Sequence, residues 1–210
     1  VTDVNEASAF TSGTTGTVAE NAATSTVVYT ATATDPETGA VSYSLSGTDA
    51  ASFSINSSTG AVTLNASANY ETKSSYSLSV IAADAASNTS SKAVTISVTN
   101  VNEAPTAANF TNAGLDSASA ITGASVGTLA AVDPDAGDTH SFTLVAGNGS
   151  NDADNSKFTI AGSTLKVGGT ALTAGTYHVM TRTTDAGGLT FDQAQTITIG
   201  AAGGGGGGGG

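Results

Sequence analysis

In ATATDPETGAVSYSLSG, residues Ala31–Gly47, an alternating run ends at two acidic residues that flank a proline, and a glycine turn leads into a second alternating run. About one hundred positions later the chain reads AAVDPDAGDTHSFTLVAG, residues Ala130–Gly147, with the same order of features. Period-two alternation on both sides of a turn is typical of two β-strands joined by a loop. The pattern therefore predicts strands and turns, with paired carboxylates in the same loop of two repeats.

Other landmarks repeat at the same distance. DVNEA at Asp3–Ala7 recurs as NVNEA at Asn100–Ala104, and Asp84 in AADAAS corresponds to Asp185 in TTDAGG. Landmarks that keep one order at one period indicate two copies of a unit of roughly 100 residues. We therefore predict three parts, namely a first repeat over residues 1–103, a second repeat over residues 104–200, and a Gly-rich tail over residues 201–210 that is a linker or an artefact.

Each repeat is a series of short alternating segments. TVVYTATATD, for example, places Val27, Tyr29, Ala31 and Ala33 on one predicted face and Val28 on the other. Many β-branched residues, turn signals every roughly 8–12 residues and the lack of helical periodicity are typical of a β-sandwich. We predict an all-β chain of two tandem seven-stranded Greek-key β-sandwiches.

The composition excludes several classes of partner. The chain of 210 residues has 17 acidic and 5 basic residues, for a net charge of −12, and it contains no cysteine. An acidic surface repels nucleic acid and anionic membranes. Disulfides and thiolate metal sites are excluded without cysteine, and no run approaches the ~20 apolar residues of a membrane helix. We expect no nucleic-acid partner and no membrane insertion.

The sequence gives little support for a catalytic site. His140 and His178 lie on different predicted strands, and no arrangement of acid and nucleophile accompanies them. We interpret both histidines as surface or edge residues and predict that the chain is not an enzyme. Acidic residues without a matching motif are interpreted as surface charges, and these are Asp116, Asp138, Asp152 and Asp154.

Five motifs carry a family resemblance. VAEN, DPETG, NYE, AADAAS and NVNEAP occur in this order within residues 1–105. On these motifs the first repeat resembles a cadherin repeat of the bacterial type, found in tandem in large secreted adhesins, and the second resembles a more divergent cadherin-like domain. The resemblance implies a cadherin- or immunoglobulin-like sandwich with Ca2+ held between adjacent domains. Calcium takes six to eight oxygen ligands at roughly 2.3–2.6 Å, more than one loop usually supplies.

The resemblance implies two sets of calcium ligands. The set expected where the two repeats meet is Glu20, Asn69, Glu71, Asn100, Asn102, Glu103, Asp133, Asp135 and Asp185. The upper half of a further site, whose lower half belongs to a preceding domain, is expected at Asp3, Asn5, Glu6, Asp35, Glu37 and Asp84. The alternative for DPETG is ordinary turn chemistry, in which Asp35 bonds to its own turn, Pro36 sets φ and Gly39 takes a positive φ.

Departures from the family pattern weaken some of these sites. Asn69 and Asn100 stand where the family has aspartate, so we expect fewer or weaker ions there. The second repeat reads ITGASVGT where VAEN is expected and LTAGTYHV where NYETKSSY is expected. It lacks both basal glutamates, which predicts no calcium at its far end.

The expected function is structural. We predict calcium-stiffened spacer or adhesion repeats, extracellular or at the cell surface, in a large bacterial surface or filament-forming protein. The expected partners are adjacent repeats of the same chain, a second copy, or a host or surface ligand. Two alternatives stay open: the second repeat is a tip module that binds a glycan or protein, or the chain is a fibre subunit that assembles through strand pairing.

Overall fold

The computed structural model describes residues 4–203. The chain divides into two compact units, unit 1 (Val1–Val101) and unit 2 (Asn102–Gly210). The helices among the described residues are two single 3-10 turns, Ala50–Ser52 and Asn155–Lys157. No helix in this part of the chain is long and apolar enough to cross a membrane. The prediction of an all-β chain is confirmed.

Unit 1 consists of two sheets and one short strand pair. Its strands are β1 (Ala9–Phe10), β2 (Thr15–Ala19), β3 (Val27–Thr30), β4 (Ala33–Thr34), β5 (Ser42–Ser46), β6 (Phe53–Ile55), β7 (Ala61–Leu64), β8 (Ser75–Ala83) and β9 (Thr89–Thr99). The larger sheet has the order β2-β9-β8-β5, the second sheet has the order β3-β7-β6, and β1 pairs with β4. The β2–β9 pair is parallel and the other pairs are antiparallel.

One apolar core lies between the two sheets of unit 1. Val80 and Ile96 of the larger sheet and Val62 of the second sheet are fully buried in the same cluster. The rings of Phe53 and Tyr76 meet edge to face, with centroids 5.2 Å apart. Full burial of such apolar side chains contributes about 1.5–3 kcal/mol each, so the alternating strand pattern stabilises the sandwich directly.

The predicted alternation fails at one point in β3. A β-bulge between Val27 and Tyr29 shifts the register against β7, so Val28 and Tyr29 are both buried while Val27 is 51% exposed. The prediction that Val27 shares the inward face with Tyr29 is therefore wrong. The physical reason is that a bulge adds one residue to one strand and so breaks strict period-two alternation.

Unit 2 has a similar architecture with a different first strand. Its strands are β10 (Ala107–Asn112), β11 (Ser125–Val132), β12 (Ser141–Leu144), β13 (Phe158–Ala161), β14 (Thr164–Val167), β15 (Gly175–Thr184) and β16 (Thr190–Ile199). One sheet has the order β10-β11-β14-β13 and the other has the order β12-β15-β16. The core again contains an edge-to-face aromatic pair, Phe158 and Tyr177, with centroids 5.8 Å apart.

Strand β2 of unit 1 and strand β10 of unit 2 pair differently. In unit 1, β2 pairs in parallel with β9 along all of its residues, from Thr15–Thr95 to Ala19–Thr99. In unit 2, β10 pairs with β11 along its whole length instead, and the segment after it forms an isolated parallel bridge between Asp116 and Gly200, the residue that follows β16. The edge of β16 is therefore paired much less than that of β9.

The long strand pairs of the two units share one register. Tyr76 lies opposite Ile96 in β8–β9, and Tyr177 lies opposite Ile197 in β15–β16. This register relates the core positions of one unit to those of the other. By it, the buried polar residues Thr181, Thr183 and Gln195 stand where unit 1 has Val80, Ala82 and Val94.

The polar side chains in the core of unit 2 are mostly hydrogen-bonded. Gln195 Nε2 donates to the carbonyl of Ala108 at 2.7 Å and to Thr181 Oγ1 at 3.3 Å, and Thr181 Oγ1 donates to the carbonyl of Gln193 at 3.0 Å. Thr183 Oγ1 is buried and has no hydrogen-bond partner among the described residues. Since an unpaired buried hydroxyl costs free energy, Thr183 is a weak point of this core.

Candidate metal-binding loops

Strand pairing places two acidic loops at one end of unit 1. β5 pairs antiparallel with β8, and Ser42 lies opposite Ala83. The β4–β5 loop contains Asp35 and Glu37, and the β8–β9 loop begins at Asp84. We call the end formed by these two loops the apical end of unit 1. Carboxylates that are far apart in the sequence thus project from the same end of the sandwich.

Asp84 is the buried anchor of this end, with 6% of its surface exposed. Asn5 Nδ2 donates to Asp84 Oδ2 at 2.6 Å, and the backbone N–H of Asn88 donates to Asp84 Oδ1 at 2.8 Å. Burial acts to raise the pKa of Asp84, but the hydrogen bonds from Asn5 and Asn88 outweigh it and lower the pKa below its ordinary value. Asp84 is therefore held in its charged form.

Asp35, Glu37 and Glu6 form the other part of the apical end of unit 1. The backbone N–H of Glu37 donates to Asp35 Oδ1 at 3.1 Å, and that of Glu6 donates to Glu37 Oε1 at 3.3 Å. The pKa of Glu37 is raised, first because its carboxyl lies against that of Asp35 and second because of burial. The structure therefore brings together Asn5, Glu6, Asp35, Glu37 and Asp84, whereas Asp3 lies outside the described residues.

The pKa of Glu37 is raised first by the hydrogen-bonding contact between its carboxyl group and that of Asp35, which favours a proton between the two groups over two charges. Two adjacent carboxylates disfavour double ionisation unless a cation neutralises them. Glu37 Oε2 is buried and accepts no hydrogen bond from the described residues. A hard divalent cation that prefers oxygen ligands would satisfy both groups, so this donor set fits calcium.

Unit 2 repeats the arrangement at its own apical end, formed by the β11–β12 and β15–β16 loops. β12 pairs antiparallel with β15, and Ser141 lies opposite Thr184. The β11–β12 loop contains Asp133 and Asp135, and Asp185 follows β15 directly. The same strand geometry therefore presents the second set of predicted ligands.

Asp185 is the counterpart of Asp84. Asn102 Nδ2 donates to Asp185 Oδ2 at 2.9 Å, and the backbone N–H of Leu189 donates to Asp185 Oδ1 at 2.7 Å. Burial acts to raise the pKa of Asp185, but the hydrogen bonds from Asn102 and from backbone N–H groups of its own loop outweigh it and lower the pKa. Asn102 thus serves unit 2 as Asn5 serves unit 1.

The paired carboxylates of unit 2 also keep the frame of unit 1. The backbone N–H of Asp135 donates to Asp133 Oδ1 at 3.0 Å, as Glu37 does to Asp35. The backbone N–H of Glu103 donates to Asp135 Oδ2 at 2.7 Å. Asn102, Glu103, Asp133, Asp135 and Asp185 are therefore assembled within one unit.

The apical end of unit 2 contains two further residues that the sequence interpretation left out. His140 Nε2 lies 2.7 Å from Asp133 Oδ2, and their side chains are 13% and 4% exposed. Asp138 offers a carboxylate oxygen to the same cluster. The interpretation of His140 and Asp138 as surface residues is wrong, because the turn folds them back onto Asp133. A histidine a few residues from a DPD motif was the available signal.

The opposite, basal end of unit 1 is built around Glu20, which is 2% exposed. Glu20 Oε2 accepts a hydrogen bond from the backbone N–H of Tyr70 at 2.9 Å, and Oε1 accepts one from the backbone N–H of Val101 at 2.8 Å. Glu20 thus holds the end of unit 1 to the NYE loop. Backbone N–H groups stabilise a buried carboxylate in its charged form.

The remaining basal residues of unit 1 lie in the same region. Glu71 places a carboxylate oxygen within 4.8 Å of one of Glu20, and its side chain is exposed. Asn69 Oδ1 accepts a hydrogen bond from the backbone N–H of Thr72 at 2.7 Å, so it shapes the loop. Asn100 is exposed and follows β9 directly. Glu20 and Glu71 are therefore the carboxylates of this end.

The basal end of unit 2 replaces the buried glutamate by a hydroxyl. The backbone N–H of Ser117 donates to the carbonyl of Gly200, and Ser117 Oγ accepts from the backbone N–H of Ala202 at 3.0 Å. Glu20 makes the same two contacts in unit 1. The sequence match of VAEN to ITGASVGT is thus wrong, since the counterpart of Glu20 is Ser117. Neighbouring Asp116 accepts from its own turn, including Ser119 Oγ at 2.6 Å.

The turn after Asp35 differs from the sequence expectation. The residue with positive φ is Thr38, at 62°, rather than Gly39. In unit 2 the residue with positive φ in this turn is Gly137, at 86°, one position later in the motif, where unit 1 has Gly39. A β-branched residue rarely adopts this conformation, so the unit 1 loop is strained where the unit 2 loop is not.

The comparisons with known proteins agree with this architecture. Residues 14–99 match the family model described as Cadherin domain. A comparison with curated protein sequences gives no match. Among solved structures, human Protocadherin-24 EC1-2 (form II) matches with a TM-score of 0.75 at 18% identity, over 94% of this chain and 100% of that chain. PcdhgB3 EC1-4 matches with a TM-score of 0.73 at 22% identity, over 96% and 51%.

A further solved structure extends the likeness. Drosophila N-cadherin EC1-4 matches with a TM-score of 0.71 at 18% identity, over 94% of this chain and 50% of that chain. At these identities the likeness shows the fold. Cadherin domains are extracellular adhesion modules rather than enzymes, and they generally bind Ca2+. The chain therefore has a cadherin-like fold, and its residues 14–99 match the cadherin domain model.

Proposed function

We propose that both units are calcium-binding repeats that act as a stiffened extracellular spacer, in a large bacterial surface or filament-forming protein. The observation that carries the proposal is the recurrence of one frame, in which an asparagine side chain donates to a buried aspartate in each unit. The bacterial setting rests on the resemblance of the five sequence motifs.

The residues proposed to hold calcium fall into three groups. The apical end of unit 1 supplies Asn5, Glu6, Asp35, Glu37 and Asp84. The apical end of unit 2 supplies Asn102, Glu103, Asp133, Asp135 and Asp185, and the basal end of unit 1 supplies Glu20, Asn69, Glu71 and Asn100. We propose that the last two groups share ions where residues 1–103 and 104–200 meet. A bound ion would neutralise the carboxylates and restrain the segment that joins the repeats.

Calcium should stabilise the folded chain because the ligands are assembled only after folding. An ion that binds only the native state contributes about 2.7 kcal/mol at a concentration one hundred times its dissociation constant. The raised pKa of Glu37 supports this mechanism, since a cation bound between the Glu37 and Asp35 carboxyl groups would relieve the close contact that raises it.

The first experiment measures thermal unfolding of the full chain with excess Ca2+ and with EDTA. We expect a higher melting temperature with Ca2+, and a smaller increase in Asp84→Asn, which keeps the shape of the side chain but loses its charge. Asp152→Asn is the matched control, because Asp152 accepts hydrogen bonds from Gly147 and Gly149 in a different loop. Equal melting temperatures in Ca2+ and EDTA would contradict the proposal.

The second experiment tests the spacer role by small-angle X-ray scattering of the full chain. With Ca2+ we expect one narrow distribution of interatomic distances, and with EDTA a broader one. Glu20→Gln should reduce the difference. Identical scattering curves in both conditions would reject stiffening even if calcium binds.

No specific observation on the described residues favours either of the two alternative functions. Strand exchange would be favoured by an unpaired first strand, but β1 is paired with β4, β2 with β9, and β10 with β11 over its length. A ligand-binding tip would be favoured by exposed aromatic rings on unit 2, and the large exposed apolar residues in its described part are Ile121, Val132 and Leu189. The pairing of these strands and the lack of exposed aromatic rings among these residues favour the spacer proposal over both alternatives.

A further inference from the structure

One cluster in unit 2 combines a ring nitrogen with two carboxylates. Ligand atoms of Asp133, Asp138 and His140 all lie within 4.8 Å of one another, and all three side chains are partly buried. The closest pair is His140 Nε2 and Asp133 Oδ2, at 2.7 Å. Two ligands of one zinc-type ion lie about 3.0–3.4 Å apart when metal–ligand distances are near 2.1 Å. The distance between His140 Nε2 and Asp133 Oδ2 would have to increase by about 0.3–0.7 Å for both atoms to bind one such ion.

Both carboxylates are held in place by backbone groups. The backbone N–H of Asp135 donates to Asp133 Oδ1, which leaves Oδ2 directed at the imidazole. Asp138 Oδ1 accepts from the backbone N–H of Thr139 at 2.6 Å. Such second contacts orient carboxylate ligands in metal sites and fix which oxygen faces the ion. The cluster is thus pre-arranged by the β11–β12 loop itself.

Unit 1 lacks this cluster although it keeps the frame around it. His140 stands directly before β12, and the residue directly before β5 is Val41. The same comparison shows one extra loop residue in unit 2, where Asp138 lies between Gly137 and the strand. The cluster is therefore an addition to the shared apical frame, in which the predicted ligands are oxygen donors.

The donor types decide which ion would bind. Calcium and magnesium select oxygen ligands, whereas an imidazole nitrogen suits zinc, copper, iron and nickel. We propose that Asp133, Asp138 and His140 form a binding site for a divalent transition metal ion of the zinc type, with solvent completing its coordination. This site goes beyond the proposed calcium sites because it lies within unit 2 and uses a nitrogen ligand. It shares Asp133 with them, so the two ions would compete there.

The test titrates the chelator-treated full chain with ZnCl2 by calorimetry in calcium-free buffer. We expect about one equivalent of Zn2+ to bind, and His140→Val to weaken that binding by at least roughly tenfold. Valine is the residue that unit 1 carries at this position. His178→Val is the matched control, because His178 is exposed on β15 and lies outside the cluster. It should bind Zn2+ as the unchanged protein does.

A second readout follows the imidazole itself. In 15N NMR, Zn2+ should shift the Nε2 resonance of His140, and the shift should be absent in Asp138→Ala or need a higher concentration. Equal Zn2+ affinity in the unchanged protein and His140→Val, or an unmoved His140 resonance at saturation, overturns the proposal and leaves a hydrogen bond within the loop. The calcium response of Asp84→Asn in unit 1 is measured separately, so failure of either proposal is distinguishable.

Discussion

The apical ends of the two units have the same hydrogen-bonded frame. They differ in the side chain that lies against the first aspartate of the loop, Asp35 in unit 1 and Asp133 in unit 2. In unit 1, the carboxyl group of Glu37 lies against that of Asp35, and this hydrogen-bonding contact raises the pKa of Glu37. In unit 2, the imidazole of His140 contacts Asp133 instead. The comparison teaches that strand register fixes the position of these loops, while single substitutions within them decide which cations they suit.

The cores show a similar contrast. Unit 1 buries Val80 and Val94 where unit 2 buries Thr181 and Gln195, and the polar pair is accepted because it bonds to the strands around it. The hydrogen-bond partners of Thr181 and Gln195 thus offset the cost of burying them, whereas the hydroxyl of Thr183 has no such partner among the described residues.

The largest expected effect comes from moving one polar residue between cores. Val94→Gln in unit 1 should lower the free energy of unfolding by about 3–5 kcal/mol, since it loses apolar burial and places an amide where no counterpart of Thr181 exists. Urea titration monitored by circular dichroism measures it. Thr95→Gln, on the exposed face of β9, is the control and should change stability by less than about 0.5 kcal/mol.

A smaller effect should separate two neighbouring threonines of unit 2. Thr183→Val should stabilise unit 2 by about 1–2 kcal/mol, because it removes a buried hydroxyl that has no partner. Thr181→Val should destabilise it by a similar amount, because that hydroxyl bonds to Gln193 and Gln195. The same sign for both variants in denaturant titrations would show that burial alone governs the two positions.

Exchanging one residue in each apical turn should change the stability of the two units in opposite directions. Thr38→Gly should stabilise unit 1 by about 1 kcal/mol, since glycine adopts positive φ without strain. Gly137→Thr should destabilise unit 2 by about 1–2 kcal/mol. Melting curves of the full chain measure both. Unchanged stability in the two variants would mean that the backbone relaxes around these residues.

The smallest expected effect concerns the pH dependence of stability, and it arises from an aspartate that has a counterpart in each unit. Asp49 accepts from Lys73 and from the backbone N–H of Ser77, and these contacts, that of Lys73 first, lower its pKa below the ordinary 3.8. The pKa of Asp49 is therefore lower in the folded chain than in the unfolded chain. Asp49 stabilises the fold at a pH above its pKa in the unfolded chain, and this stabilisation is lost as the pH falls through its pKa in the folded chain.

The Asp49 contribution can be isolated by substitution. Denaturant midpoints between about pH 6 and 2 should fall less steeply in Asp49→Asn than in the unchanged protein. Asp154 of unit 2, which bonds to Lys157 and to the backbone N–H of His178, should behave in the same way. Parallel pH profiles for Asp49→Asn and the unchanged protein would contradict the assignment.

The sequence predicted the features that depend on local pattern and repetition. Alternating runs identified the strands, and the recurrence of Asp35 as Asp133 and of Asp84 as Asp185 identified loops that strand pairing then brings together. These predictions succeed because register is set by which face is apolar. Because these motifs occur in both repeats, the prediction made from one copy supports the prediction made from the other.

The remaining features depend on contacts that no local pattern encodes. The bulge at Val27, the positive φ of Thr38 and the fold of His140 onto Asp133 result from how a loop closes in three dimensions. Ser117 was missed as the counterpart of Glu20 because the equivalence lies in two backbone hydrogen bonds and not in residue type.

The different pairing of β2 and β10 should give the two units different resistance to a force that pulls on the ends of the chain. In unit 1, the parallel β2–β9 ladder joins an early strand to the last one, so opposed pulls load its hydrogen bonds in shear, together along their whole length. In unit 2, the equivalent connection is the single Asp116–Gly200 bridge. Under tension along the chain, we therefore expect unit 2 to extend at a lower force than unit 1.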